Sequence, residues 1–409
     1  MDSLDIDLSR AEELGNGIIA PLNRLRDAAP IYWSETQHAW LVTGHAEVTE
    51  GFRDTLPLSA GRHRLLEAFM PDPADRDRHI PYTMQVTPNW LTNTDPPYQM
   101  RLRKLMLKAF SRKMAEANRP YARELIAGLL DAVAARGEVE FMEEVARPIP
   151  ANLILRMMDL DTRHLGSLKR WAYYLNAGLG GAAPSVPVLE ETEACLIEMR
   201  DIFLEEIRKR EAAPGEDFLS ALIAARDGND RLTENEIVGI CHLTLIAGHD
   251  TTANSLALGT ALLAGDPAAR EHMRTHPETV DNQVMELMRL SGVSTSMARI
   301  ATADFEWHGH SIKAGQVLIL LILAANRDPH VFADPARLDP ERPQTQNMTF
   351  APGLHHCIGN FMAKMQLGEF FPELVRRFES FELLEDEIQF GGGISFRGPE
   401  RMPMRFVAR

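Results

Sequence analysis

The stretch FAPGLHHCIG, Phe350–Gly359, places one cysteine, Cys357, after two histidines and between two glycines. The glycines permit tight backbone turns, and the sequence from Asn360 onward has the periodicity of an amphipathic helix. Cys357 therefore lies just before a helix N-terminus, where amide N–H groups and the helix dipole stabilise an anion. Such a position favours a metal-binding thiolate. For a lone cysteine two alternatives stay open: an inert thiol in a loop, and a zinc site, which here lacks a second ligand pair.

Length and composition bound the remaining possibilities. The 409 residues are 45% hydrophobic and 25% charged, as in ordinary globular proteins. Three cysteines, Cys195, Cys241 and Cys357, are too few for a disulfide framework and indicate a reducing compartment. A net charge of −15 argues against a nucleic-acid partner. No signal peptide is visible, and the most apolar stretch, Ile237–Leu263, holds too many polar residues for a membrane span. We expect a cytoplasmic protein without a membrane partner.

Helical periodicity dominates the middle of the chain, and short strand-like segments lie toward its two ends. The predicted helices are Pro97–Phe110, Ala122–Arg136, Glu190–Ala212, Asp217–Ala225, Glu234–Ala264, Val280–Leu290 and Asn360–Phe378. The strand-like segments are IYWSE (31–35), AWLVTG (39–44), FEWHG (305–309), VLILLIL (317–323) and MPMRFVA (402–408). This pattern predicts a mainly α protein with a small β portion. Because both ends supply strands, we expect one large domain over residues 1–409.

A second unusual stretch, LIAGHDTTAN (Leu245–Asn254), lies inside the longest predicted helix. Gly248 in mid-helix costs roughly 1 kcal/mol relative to alanine. The hydroxyl of Thr251, like that of the next threonine, can bond back to a helix carbonyl. Asp250 is unfavourable in an apolar helix unless it is solvated or paired. Together these residues predict a functional deformation of the helix; the alternative is a polar notch that faces a crevice.

Two further patterns consist of charged residues. Glu286 and Arg289 lie three apart on a predicted helix, a spacing that is common for surface pairs of little energetic weight. From the predicted helix Pro97–Phe110 to just beyond its end, basic residues follow one stripe at helical spacing, whereas Gln99 and Arg103 project to a different side. One side could bind an anionic cofactor and the other could face a protein partner; the alternative is a solvated basic face. The stripe consists of Arg101, Lys104, Lys108 and Arg112.

Taken together, these four patterns resemble the cytochrome P450 family, from about Asp95 to the C-terminus. The family's haem-binding pattern, Phe-x-x-Gly-x-His-x-Cys-x-Gly followed by a small residue, is similar to Phe350, Gly353, His355, Cys357, Gly359 and Ala363. Its oxygen-activation signature is similar to Ala247, Gly248, Asp250, Thr251 and Thr252. Its Glu-x-x-Arg pair with a later arginine is similar to Glu286, Arg289 and Arg342.

The resemblance implies a cytochrome P450 fold that binds haem b, with the haem-binding core over roughly residues 95–378. Cys357 would be the axial thiolate ligand of the iron, and Phe350 would shield it. Asp250 and Thr251 would relay protons to bound oxygen, and Gly248 would leave room for dioxygen. The haem propionates would be held by Gln99, Arg103, Arg299 and His355, with Gln99 replacing a histidine that many bacterial members have. Glu286, Arg289 and Arg342 would form a buried structural network.

The resemblance also implies an oxidoreductase: a monooxygenase that inserts one atom of O₂ into a small hydrophobic molecule by hydroxylation. Electron transfer would come from a separate [2Fe-2S] ferredoxin and its NAD(P)H-dependent reductase, with the basic stripe Arg101–Arg112 as the docking face. The alternatives are a peroxygenase that uses hydrogen peroxide and a haem-binding sensor without turnover. The Asp250–Thr251 pair favours the monooxygenase, because dioxygen activation needs a proton relay.

The substrate is expected to be a terpenoid or a small aromatic molecule, with a fatty acyl chain as the alternative. An apolar pocket with a few hydroxyls is expected against the long helix, and the resemblance adds the loop Gly292–Met297, the loop 69–86 and a glycine-rich turn near the C-terminus. Its predicted lining residues are Leu243, Ile246, Ala247, Val293, Ser294, Ser296 and Ile394. We expect the protein to be a monomer.

Overall fold

The structure, a computed structural model, describes residues 4–8, 15–180, 184–393 and 395–409. Most of the chain is helical, as the sequence predicts. The α-helices are Ile19–Ala28, His45–Phe52, Arg64–Phe69, Pro73–His79, Pro81–Val86, Tyr98–Ala109, Arg112–Arg136, Pro148–Met158, Leu165–Leu179, Val186–Ala212, Phe218–Ala224, Glu234–Gly265, Pro267–Thr275, Val280–Ser291, Ile322–Ala325 and Asn360–Arg377. Among these ranges, none is both long enough and apolar enough to cross a bilayer.

The longest helix, Glu234–Gly265, is the axis of the hydrophobic core, and we call it the central helix. A capping box fixes its start: the Thr233 hydroxyl accepts from the Glu236 N–H, and the Glu236 carboxylate accepts from the Thr233 N–H at 2.7 Å. Apolar residues occur on all of its sides, as expected for a helix surrounded by others. It packs against Pro148–Met158, Val186–Ala212 and Asn360–Arg377.

Short strands form a five-stranded sheet at one side of the helices and several smaller sheets. The strands are β1 Ile31–Ser34, β2 Ala39–Val42, β3 Leu58–Ser59, β4 Glu138–Glu140, β5 Arg226–Asp227, β6 Asp230–Arg231, β7 Met297–Ala301, β8 Phe305–Trp307, β9 His310–Ile312, β10 Val317–Leu320, β11 Phe378–Leu383, β12 Phe390–Gly392, β13 Arg397–Pro399 and β14 Pro403–Ala408. The order in the largest sheet is β1-β2-β10-β7-β3. β2 and β10 run parallel with Leu41 opposite Ile319, so early and late segments share one sheet.

The prediction of a mainly α fold with a small β portion is confirmed, but several boundaries differ. The predicted helix Ala122–Arg136 starts at Arg112, because the Ser111 hydroxyl caps it by accepting from the Met114 N–H at 3.2 Å. The predicted strand 317–323 ends at Leu320, where a short helix follows. Helices Pro148–Met158 and Leu165–Leu179 and strand β7 were not predicted; β7 is too short to show an alternating pattern.

Glu286 is the centre of a buried ion-pair network. Its carboxylate accepts from Arg289 Nε at 2.8 Å and from Arg342 Nε at 3.0 Å. Glu286 and Arg289 are 0% exposed and Arg342 is 7% exposed. Arg289 Nη2 also donates to Glu286 Oε1 at 2.8 Å, and further arginine N–H groups donate to backbone carbonyls, such as Arg289 Nη1 to Asn326 at 2.7 Å. The network therefore fastens helix Val280–Ser291 to the connector after the largest sheet, with every charge paired inside the protein.

Candidate functional site

The cysteine loop bends before Cys357 at two residues whose φ is in the left-handed region, Ala351 and Gly353. Gly353 has φ +79°, and a Cβ there would lie 2.7 Å from the Phe52 carbonyl oxygen, so only glycine fits without a shift. The Cys357 N–H donates to the Phe350 carbonyl at 2.9 Å. The Asn360 amide donates to the Cys357 carbonyl at 2.7 Å at the start of helix Asn360–Arg377. These bonds hold the thiol at the helix N-terminus.

The surroundings of Cys357 act on its thiol in opposite directions. Burial raises the pKa of Cys357, whereas the Gly359 N–H and the positive charge of Arg103 lower it. The Phe350 ring lies between the Lys364 ammonium, 5.4 Å from the ring centroid, and the His356 ring at 6.3 Å. Burial is the largest of these contributions, so the pKa of Cys357 stays above its ordinary value. A metal cation bound to the sulfur would favour the thiolate form.

Cationic side chains gather beside the cysteine loop. Burial lowers the pKa of Arg299 to about 10, and the nearby charge of Arg62 adds to this shift. Burial, with Arg299 and Arg62, lowers the pKa of His355 to about 3. Burial also lowers the pKa of Arg103. Within the described residues none of the three arginines forms an ion pair, so they are arranged to receive an anion from outside the chain. We call Arg62, Arg103 and Arg299, together with the His355 imidazole that this pKa keeps neutral near pH 7, the cation cluster.

The wall opposite these groups is formed by the middle of the central helix. The Thr251 hydroxyl donates to the Ala247 carbonyl at 2.5 Å, as the sequence predicts for a helical threonine. The Asp250 carboxylate accepts from His249 Nδ1 at 2.7 Å and from the Asn176 amide of the neighbouring helix. The predicted deformation is not a break, because the helix is continuous from Glu234 to Gly265. Asp250 is instead stabilised by these two partners.

One cavity joins the cation cluster to this wall. Its volume is about 160 Å³, and its lining is mostly apolar. Arg62, Met297 and Ala298 line it on the side of the cation cluster, and Asp250 and Thr251 line it on the central helix. Further lining residues are Leu66, Phe69, Trp90, Asn93, Leu175, Asn176, Leu179, Leu243, Ile246, Ala247 and Phe396.

A family model described as cytochrome P450 matches residues 186–390 of the chain. Cytochrome P450 107B1 of Saccharopolyspora erythraea is 30% identical over 90% of this chain and 89% of its own length. The mycinamicin IV hydroxylase/epoxidase of Micromonospora griseorubida is 31% identical over 94% and 92%, respectively. The structure of the Bacillus subtilis 168 bacillaene polyketide synthase cytochrome P450 PksS covers 100% of both chains with a TM-score of 0.86 at 26% identity.

The chain belongs to the cytochrome P450 family. It is therefore a P450 monooxygenase of the bacterial type, since its relatives include hydroxylases and epoxidases. The cofactor of this family is haem, whose iron is bound by a cysteine thiolate. The cation cluster fits that group, because haem carries two propionate carboxylates and the three arginines of the cluster form no ion pair among the described residues, although Asp95 lies near enough to act on Arg299.

The structure gives Gln99 a different contact from the one predicted. Its amide nitrogen donates to the Leu354 carbonyl at 2.8 Å, and the side chain is fully buried. This P450 thus uses Gln99 to fasten helix Tyr98–Ala109 to the cysteine loop. Arg62 was not among the predicted propionate ligands, although it lies with Arg299 and His355. No local pattern marks Arg62, because strand pairing between β3 and β7 brings it there.

The position of Gly248 also differs from the expectation that it leaves room for dioxygen. A Cβ on Gly248 would lie 3.2 Å from Ile154 Cδ1, so the glycine permits close packing of helix Pro148–Met158. Ala247 is exposed to the cavity instead, together with Thr251. In the cysteine helix, Ala363 closes the first turn by donating its N–H to the Gly359 carbonyl at 3.1 Å.

The predicted substrate-lining residues divide into two groups. Leu243, Ile246 and Ala247 line the cavity. Val293, Ser294 and Ser296 do not: Val293 packs with Leu258 and Phe390, and Ser294 pairs with Phe396. The loop that contains these three residues is hydrogen-bonded to strand β13 and to the residues just before it; the Arg397 N–H, for example, donates to the Val293 carbonyl at 3.0 Å. The residues that follow this loop, Met297 and Ala298, line the cavity. Ile394 lies outside the described residues.

The basic stripe is only partly available to a partner. Arg101 forms ion pairs with Asp230 at 2.7 Å and Glu236 at 2.6 Å. Lys104 pairs with Asp227 at 2.6 Å, and both aspartates belong to the β5–β6 hairpin. The prediction that all four basic residues face a partner is therefore wrong for Arg101, which is an internal clamp. Lys108 and Arg112 are exposed and have no ion pair among the described residues.

Proposed function

We propose that this P450 hydroxylates a small hydrophobic molecule, with electrons from a separate [2Fe-2S] ferredoxin and its NAD(P)H-dependent reductase. The observation that carries the proposal is the shared, mostly apolar cavity, which is lined by Asp250 and Thr251 on the central helix and by Arg62 of the cation cluster. Haem, when bound through Cys357, supplies the iron at which dioxygen is activated. Arg62, Arg103, Arg299 and His355 bind its carboxylates.

Asp250 and Thr251 supply the proton chemistry of the cavity. The Thr251 hydroxyl donates to the Ala247 carbonyl, so its oxygen keeps lone pairs with which to accept a hydrogen bond from a group or water in the cavity. Asp250 is the adjacent group that can hold a proton and pass it toward the cavity. Replacing Thr251 by Ala should divert NAD(P)H electrons from product to peroxide, whereas unchanged coupling would contradict the relay.

Two measurements on the haem-loaded protein test the reaction class. The absorption spectrum of the reduced carbonyl complex reports a thiolate ligand, and Cys357→Ser should abolish it. Product formation is then compared with the ferredoxin system and with hydrogen peroxide alone. Product that depends on the ferredoxin supports the monooxygenase; product with peroxide alone identifies a peroxygenase. No product in either arm, with the carbonyl spectrum intact, identifies a haem-binding sensor.

The substrate that we favour is a small aromatic or terpenoid molecule. The mostly apolar lining of the cavity suits a hydrophobic molecule, and the space next to Arg62 belongs to the haem site. The relatives suggest a second candidate, since one is named for oxidation of mycinamicin IV and another for a polyketide synthase. A spin-state titration with a terpenoid, a small aromatic, a macrolactone and a fatty acid decides among them. A response to the macrolactone or the fatty acid alone would overturn the small-substrate proposal.

For the redox partner we propose docking through Lys108 and Arg112, which are the exposed part of the stripe. Complementary charge steers an acidic ferredoxin toward them. Lys108→Glu and Arg112→Glu should each slow reduction, and the effect should decrease as salt is added. Arg24→Glu, on the exposed side of helix Ile19–Ala28, is the matched charge reversal elsewhere. Equal effects of all three variants would reject this surface. We further propose that the enzyme acts in the cytoplasm as a monomer.

A further inference from the structure

The two side chains that hold Asp250 have no role in the reaction described so far. His249 Nδ1 lies 2.7 Å from Asp250 Oδ1, and the Asn176 amide donates to Oδ2. His249 is 3% exposed, whereas the Asp250 side chain keeps 24% of its surface accessible. Both carboxylate oxygens are therefore occupied, although a carboxylate with that much accessible surface does not need two protein donors for its solvation.

Asn176 belongs to a different element from the residue that it binds. It lies on helix Leu165–Leu179, which forms the other wall of the cavity through Leu175, Gly178 and Leu179. The Asn176–Asp250 bond thus crosses from that wall to the central helix. Helix Leu165–Leu179 is in turn joined to the next helix, because the Thr192 hydroxyl donates to the Tyr174 carbonyl at 2.8 Å.

The chemistry of the two donors suits a carboxylate that must move protons. Among the described residues neither lysine nor arginine pairs with Asp250, and its partners are an amide and an imidazole. Hydrogen bonds to the ionised form favour that form. An amide donor gives up such a bond more readily than a fixed cation would. The Asp250 carboxylate is therefore held in place by hydrogen bonds that it can give up and form again.

We propose that Asn176 and His249 are positioning residues that orient the Asp250 carboxylate toward Thr251. Through Asn176, proton delivery then depends on how helix Leu165–Leu179 lies over the cavity. This inference rests on the proposed monooxygenase function and adds to it the residues that control its proton donor. A displacement of a reacting group by about 1 Å can cost a large factor in rate.

The first test measures coupling in the haem-loaded enzyme. Asn176→Leu and His249→Phe remove the donors, and His249→Asn keeps an amide N–H near the Nδ1 position. In the first two variants we expect the ratio of peroxide to product to rise by roughly 3- to 10-fold, and the solvent deuterium isotope effect to increase. In His249→Phe, whose residue does not line the cavity, substrate affinity in the spin-state titration should stay within about twofold, and His249→Asn should restore most of the coupling.

Asn152→Leu is the matched control. Asn152 lies on helix Pro148–Met158, which also packs on the central helix, but its amide donates to the Pro148 carbonyl at 2.8 Å and it does not line the cavity. It should leave coupling unchanged. Wild-type coupling in both Asn176→Leu and His249→Phe would overturn the proposal. A loss that only parallels weaker substrate binding would also overturn it, since that is the behaviour of a packing residue.

A second readout does not depend on turnover. In ¹⁵N-histidine-labelled protein with carbon monoxide bound, His249→Phe identifies the His249 signal among the 14 histidines. Asp250→Asn and Asn176→Leu should both shift that signal, the first more strongly. A signal that is unaffected by Asp250→Asn would show that the bond does not exist in solution. Absence of product from the wild-type enzyme, with these shifts observed, would refute the proposed function but not the arrangement around Asp250.

Discussion

Two groups of buried arginines differ in what faces them. In the Glu286 network, Arg289 and Arg342 share one carboxylate, and further N–H groups of both reach backbone carbonyls. In the cation cluster, Arg299 forms no ion pair among the described residues; its guanidinium donates to the Ala298 carbonyl at 3.0 Å and lies over the Phe52 ring. The first group is complete within the protein, whereas the second requires an anion from outside. This difference separates a structural element from a binding site better than burial alone does.

The largest expected effect comes from opening the complete network. Glu286→Ala leaves two arginines buried without a counter-charge, so the free energy of unfolding should fall by about 3–5 kcal/mol. Urea unfolding of the apoprotein measures this loss, and Glu286→Gln serves where the alanine variant does not fold. A change below about 1 kcal/mol would show that the network is not essential to the fold.

Removing an arginine from the cation cluster should act in the opposite direction on the apoprotein. Arg299→Leu takes away a buried charge without an acidic partner, so we expect the apoprotein to gain about 1–2 kcal/mol of stability. The same variant should bind haem more weakly. Arg289→Leu, measured in parallel, should destabilise the apoprotein. If both variants destabilise it equally, the cation cluster is a structural element and the distinction fails.

His242 extends the comparison to a buried titratable group that forms no ion pair within the described part of the chain. His242 lies on the central helix, and its ring packs edge-on against the rings of Tyr82 and Phe203. Burial lowers the pKa of His242 from 6.5 to about 3.

Between these pH values the unfolded chain binds a proton at His242 that the native protein does not, so stability is lost as pH falls below 6.5. The slope is about 1.4 kcal/mol per pH unit. His242→Phe should therefore stabilise the protein at pH 5 by about 2 kcal/mol relative to its effect at pH 8. His38→Gln, at an exposed position, is the control. An equal effect of His242→Phe on stability at pH 5 and pH 8 would mean that His242 of the native protein is protonated at pH 5.

The smallest effect is expected where the same Glu-x-x-Arg spacing lies on the surface. Glu271 and Arg274 are 54% and 38% exposed. Arg274→Ala should change the free energy of unfolding by less than about 0.5 kcal/mol, and added salt should reduce even that. A loss as large as that of Glu286→Ala would show that spacing, rather than burial, determines the strength of such pairs.

Much of the fold was predictable because it depends on local periodicity. The central helix begins at Glu234 as its capping box indicates, and the amphipathic helix after Cys357 begins at Asn360. Strand β7 and helices Pro148–Met158 and Leu165–Leu179 were missed. Their positions are set by neighbours distant in sequence, such as β10 beside β7, and no pattern within a single segment reports such contacts.

The amino-acid sequence by itself determined the family, since Phe350–Ala363 and Ala247–Thr252 carry its motifs at fixed spacing. It also indicated the carboxylate and hydroxyl, Asp250 and Thr251, that we propose as the proton-relay pair. Only the tertiary structure decided which side chains face these residues. Asn176 reaches Asp250 across the cavity, Arg62 joins Arg299, and Asp230 occupies Arg101. Spacing along a chain fixes the side of a helix, but the partner of a charge depends on the packing of distant elements.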